Sequence, residues 1–91
     1  MASRVKPGFA VHEVLGDPVL IGVEELASWF TGMVRLNSTA LCVWRGLENG
    51  LDNEAIASEL VEEFDVDAAS AQCDVERAVE RFAAAGLLLG E

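Results

Sequence analysis

The chain has 91 residues, enough for one domain with one core and too few to enclose a deep active site. Hydrophobic residues make up 52 % of it, which excludes a disordered polyelectrolyte, while sixteen Asp and Glu against six Lys and Arg give a net charge of −10. That charge repels nucleic-acid phosphates and anionic membrane surfaces, so neither is expected as a partner.

No signal peptide is expected, because the basic start at Met1 to Gly8 is not followed by an apolar stretch. No apolar run approaches the ~20 residues of a bilayer span. Cys42 and Cys73 form no C-x-x-C pair, and the single His12 completes no standard zinc set with them. Both thiols are expected to be small buried residues of helices in a cytoplasmic protein. No metal or cofactor is expected.

The first third reads as short strands. Phe9 to Val14 is rich in β-formers and ends at the turn cluster Gly16-Asp17-Pro18. Val19 to Val23 is a continuous apolar run typical of a covered strand. Glu24 to Phe30 fits either a helical turn or a strand, with Trp29 and Phe30 as core. After Gly32, Met33 to Leu36 reads as a third strand of an antiparallel meander, since the first connection is too short for a crossover. The segment carrying Arg4 and Lys6 is expected to be loose.

The remainder is helical. Asn37 or Ser38 caps a helix to about Asn49, with Ala40, Leu41, Trp44 and Leu47 on one face and Gly50 as its stop. Asp52 caps a second helix, with Ile56, Leu60, Val61 and Phe64 inward. Asp67 or Ser70 caps a third, with the stripe Val75, Ala78, Val79 and Phe82, closed by Gly86. The apolar tail Leu87-Leu88-Leu89 folds back on the core. This order, βββααα with short connections, predicts a single α+β domain, a three-stranded antiparallel sheet followed by three helices.

Enzymatic constellations are thin. The chain has one His, no Tyr, no nucleophile elbow and no Gly-rich phosphate loop. The seven acids from Asp52 to Asp67 fall opposite the apolar stripe of the second helix and read as a solvated face. Catalysis is not expected. Among the few cations, Arg77 and Arg81 are i, i+4 neighbours on the third helix. They belong either to a ladder with Asp74 and Glu80 or to the border of a site for an acidic ligand, with Arg35 across from them. Met33 to Leu36, the last strand of a meander, should keep one open edge, and such an edge beside an apolar helix is suited to peptide capture by strand addition.

The run Gly32 to Ala40, followed by Trp44 and Gly50, resembles the strand-to-helix signature of the PqqD-like family. The resemblance continues through Ile56 to Leu60, Phe64 to Asp67, Asp74-Val75, Phe82 and Gly86 to Leu88. It covers residues 8 to 89 in order and spacing. It implies a winged-helix-like fold and a non-catalytic recognition element for ribosomally synthesised, post-translationally modified peptides. The leader of a precursor peptide would add to the third strand and lie against the third helix. The domain would then present it to a modifying enzyme, a radical S-adenosylmethionine protein or a leader protease, acting in trans on a freestanding domain.

Carried onto this chain, the peptide-binding residues would be Met33, Val34, Arg35 and Leu36 on one wall and Asp74, Arg77, Ala78 and Arg81 on the other. The stretch Glu24 to Thr31 departs from the members that serve pyrroloquinoline quinone biosynthesis. If the Val34 amide faces the open edge, Val34→Pro should abolish binding. The alternatives are a winged-helix transcriptional regulator, which the charge opposes, and an interaction subunit without a peptide substrate. A homodimer through the same sheet edge would fit the first reading.

Overall fold

Three strands and three helices follow in the expected order in a computed structural model of the protein, which describes residues 3–6, 8–22 and 33–89. The ambiguous stretch Glu24 to Phe30, with Trp29 and Phe30, lies outside the described residues. Strands β1 (Phe9–Val14) and β2 (Asp17–Gly22) form a hairpin in which Phe9 faces Gly22 and Val14 faces Asp17. Its two-residue turn, Leu15-Gly16, has φ of 53° and 86°, the left-handed pair that matches the strand twist. Strand β3 (Met33–Arg35) pairs antiparallel with β2, giving the sheet order β1-β2-β3.

Each helix begins where a side chain satisfies a first-turn amide. Asn37 accepts from the Ala40 amide to start α1 (Ser38–Glu48), and Asp52 accepts from Ala55 to start α2 (Asn53–Phe64). Asp67 accepts from Ser70 to start α3 (Ala68–Ala84). That bond holds the Asp67 carboxyl below its ordinary range. No helix among the described residues is long and apolar enough to cross a membrane.

The core is a single cluster centred on Trp44, wholly buried on α1. Phe82 of α3 meets its ring edge-on at 5.2 Å between centroids, and Phe9 of β1 does so at 6.3 Å. One indole thus ties the sheet, α1 and α3 together. Its own N–H has no hydrogen-bond partner among the described residues. Leu20, Leu47, Ile56, Leu60, Val75 and Leu87 complete the centre.

Three expectations change. Arg4 and Lys6 are not in a loose segment. Val5 forms a bridge with Leu88, the Arg4 and Lys6 amides donate to the carbonyls of Leu47 and Leu87, and the Arg4 guanidinium donates to the Leu51 carbonyl and to Asn53. The returning tail Leu87-Leu88 supplies the pairing partner, so the two ends of the domain are tied to each other. The thiols are not both buried: Cys42 is half-buried and Cys73 is exposed. Val61 is exposed on α2, and its inward place is taken by Ala57.

Gly46 of α1 lies directly against Ile56 of α2. A Cβ there would lie 2.7 Å from Cγ1 of Ile56, which is itself fully buried. Gly46→Ala should therefore destabilise the protein by about 1–2 kcal/mol, because overpacking outweighs a helix-propensity gain of about 1 kcal/mol. Chemical denaturation checks this by a lower midpoint at unchanged slope. A gain in stability would show that Ile56 gives way freely.

Candidate functional site

Pairing geometry decides which backbone groups of β3 are available. Arg35 lies opposite Val19, Val34 opposite Leu20 and Met33 opposite Ile21. The Leu36 amide donates to the Pro18 carbonyl at 3.0 Å. In an antiparallel pair the hydrogen-bonded positions alternate, so Val34 and Leu36 turn their backbone groups toward β2. Met33 and Arg35 turn theirs the other way, to an edge that no strand among the described residues pairs with. Pro18 has no N–H to return to Leu36, so the ladder stops there. The Val34 amide therefore points into the sheet. The donors on the open edge are the amides of Met33 and Arg35.

Beside that edge lies a cleft of about 230 Å³ between the start of α1 and the flank of α3. All four residues expected on the helical wall, Asp74, Arg77, Ala78 and Arg81, line it. Phe82 reaches it from below, and Asn37, Thr39 and Ala40 contribute the end nearest β3. The strand residues are distributed differently. Leu36 is 4 % exposed and belongs to the core, and the half-buried Val34 packs against that core. Arg35 is exposed, and only the backbone of Met33 is described.

One contact joins the open edge of β3 to the α3 wall. The Arg81 guanidinium donates to the Arg35 carbonyl at 3.1 Å, onto the outward-facing acceptor that the pairing geometry identifies. Among the described residues neither Asp74 nor Glu80 forms an ion pair with Arg77, so the charge ladder is not built. The contribution of Asn37, Thr39 and Ala40 was missed by charge and edge reasoning. Its signal was the shortness of the link between β3 and α1, which forces the first turn of α1 to lie beside the strand end.

A larger concavity, about 750 Å³, lies along another flank of α1, between the β1–β2 hairpin and the end of α2. Its lining mixes Val11, Leu41 and Phe64 with Cys42, Arg45 and Glu63, and it includes no residue of β3. Burial raises the Cys42 thiol, and the Glu63 and Glu59 carboxylates add to the effect.

Against known proteins, the model of the family described as coenzyme PQQ synthesis protein D matches residues 19–88. The chain belongs to the PqqD family. Two solved structures share the fold. "TbiB1 in Complex with the TbiA(beta) Leader Peptide" has a TM-score of 0.73 at 19 % identity, with 97 % of this chain and 96 % of that one covered. "Lasso peptide synthetase B1 complexed with the leader peptide" has a TM-score of 0.72 at 23 % identity, with 94 % and 95 % covered. No curated protein sequence matches the chain. The family match rests on residues from the second strand to the returning tail, so it includes both walls of the cleft.

The environment of the two thiols gives a direct check on this side of the PqqD-family domain. At neutral pH, Cys73 should react with iodoacetamide at least about tenfold faster than Cys42, since burial and the two nearby carboxylates disfavour the Cys42 thiolate. Peptide mapping of partially alkylated protein reads the ratio. Equal rates would mean that the α1–α2 flank opens readily.

Proposed function

We propose that this PqqD-family domain is a non-catalytic recognition element that captures the leader of a ribosomally synthesised precursor peptide and presents it to a modifying enzyme. The observation that carries this reading is the outward-facing backbone of Met33 and Arg35 beside a cleft walled by α3. An added strand takes its affinity from that backbone and its selectivity from the flanking pocket. The two solved structures of similar fold are described as leader-peptide complexes, which supports the same ligand class here.

In this reading Met33 and Arg35 supply ladder groups, while Val34 and Leu36 hold the strand in register. Asp74, Arg77, Ala78 and Arg81 form the facing wall. The domain's role is positional: it raises the local concentration of one peptide at an enzyme's active site. The enzyme is of the class that modifies or cleaves such peptides, a radical S-adenosylmethionine protein or a leader protease. The two free thiols fit a cytoplasmic setting.

Proline substitution tests the edge. Arg35→Pro removes one of the two outward donors and should weaken binding of a labelled leader peptide, from a short reading frame beside the gene, by at least about tenfold. Arg35→Ala keeps that donor and should bind more tightly than Arg35→Pro. Val34→Pro removes an inward donor and should lower the melting temperature instead. Fluorescence polarisation measures the first two and thermal unfolding the third. A folded Arg35→Pro protein that binds as tightly as Arg35→Ala would contradict strand addition at this edge.

A further inference from the structure

The hydrogen bond from Arg81 to the Arg35 carbonyl occupies the acceptor that an incoming strand needs. We propose that Arg81 is a removable cap on the open edge of β3, and that the domain selects peptides whose Asp or Glu carboxylate draws the cap away. The inference rests on the peptide-capture reading above and adds the chemistry by which one strand is chosen over another.

Three observations converge on it. First, the edge is short. Met33 and Arg35 are the only residues of β3 that face outward, so losing the Arg35 acceptor removes a large share of any ladder formed there. Second, the cap is weakly held. Arg81 is exposed and, among the described residues, its guanidinium bonds only a neutral, exposed carbonyl, so the bond is readily exchanged. Third, the local charge inverts that of the whole chain. The protein carries −10 and has only six Lys and Arg, yet Arg77 and Arg81 line the cleft and a third, Arg35, lies on the strand edge that Arg81 reaches.

Of the other three cations, two have other places. Arg4 is engaged with Leu51 and Asn53, and Arg45 lies at the concavity on the other flank of α1. Asp74 is the one carboxylate among the residues lining the cleft, against two guanidinium groups. Arg77 and Arg81 are one helical turn apart and repel each other, which an anion between them relieves.

The exchange follows from hydrogen-bond strengths. A strand that lacks an acid must push Arg81 off Arg35 and return it to water. A strand with a carboxylate within one residue of the position opposite Arg35 gives the guanidinium a bidentate, charge-assisted partner instead. Its own amide then takes the vacated Arg35 carbonyl. The cap also covers part of an edge that no strand among the described residues pairs with, the kind of place where sheets add to copies of themselves. A single side chain thereby blocks unselected strands and recognises a carboxylate.

The probe is a displayed library of random twelve-residue peptides, selected in parallel on the wild-type domain, on Arg81→Gln and on Arg81→Lys. Arg81 is exposed, so these variants should fold, and circular dichroism confirms it. Wild type should enrich peptides with Asp or Glu at one fixed place in an apolar strand pattern, Arg81→Lys the same place more weakly, and Arg81→Gln none. For a winning peptide, changing that acid to its amide should weaken wild-type binding about tenfold and flatten its salt dependence. The same change should leave binding to Arg81→Gln unmoved.

An acid enriched equally on wild type and Arg81→Gln would overturn the role of Arg81. Strand-like peptides enriched without a fixed acid would overturn the selection rule while leaving peptide capture intact. No enrichment on any folded version would fall on peptide capture itself and remove the basis for the cap.

Discussion

The cleft depends on Trp44, which is buried in contact with both the sheet and α3. Its ring, wholly buried, meets Phe82 on one side and Phe9 on the other, both edge-on. Aromatic pairs in this geometry contribute about 0.5–1.5 kcal/mol each beyond the area they bury. They also set distances. Phe82 lies at the base of the cleft, one residue from Arg81, so the contact that stabilises the core also determines where the guanidinium emerges. The width of the gap between α3 and the strand edge is a consequence of core packing.

The second constraint is the phase of a three-residue strand. Pro18 lacks an N–H and accepts one bond from Leu36, and from that point the alternation runs back along β3. Shifting the register by one residue would turn Val34 outward and bury the Arg35 side chain. The core position of Leu36 prevents this, because its side chain must stay beneath the sheet. A buried leucine and a proline on the neighbouring strand thus decide which carbonyl reaches Arg81. Tying Val5 to Leu88 serves the same rigidity from the far side, since the tail that follows α3 is held to the loop ends of α1 and α2 through Arg4.

Much of this architecture was legible in the residues because its causes are local. Asn37, Asp52 and Asp67 announce the helix starts through a bond that spans three residues, and Gly16 marks the hairpin turn by its φ. The α3 wall of the candidate site, Asp74, Arg77, Ala78 and Arg81, was legible through the PqqD-like resemblance, and Arg77 and Arg81 also stood out by their charge. What was not legible depends on distant partners. The fixed N-terminal segment needs Arg4 to find Leu51, 47 residues away. The direction of the Val34 amide depends on a register set by Pro18, and the exposure of Cys73 on where α3 meets α2. None of these leaves a periodic signal.

The most direct test of strand addition is amide hydrogen exchange by NMR across Met33 to Leu36, with and without a saturating leader peptide. In the free domain, Val34 and Leu36 should be protected by their bonds to β2, while Met33 and Arg35 exchange freely. On binding, Met33 and Arg35 should become protected, with Val34 and Leu36 little changed. Saturation with no new protection at Met33 or Arg35 would show that the peptide binds elsewhere and would contradict capture at this edge.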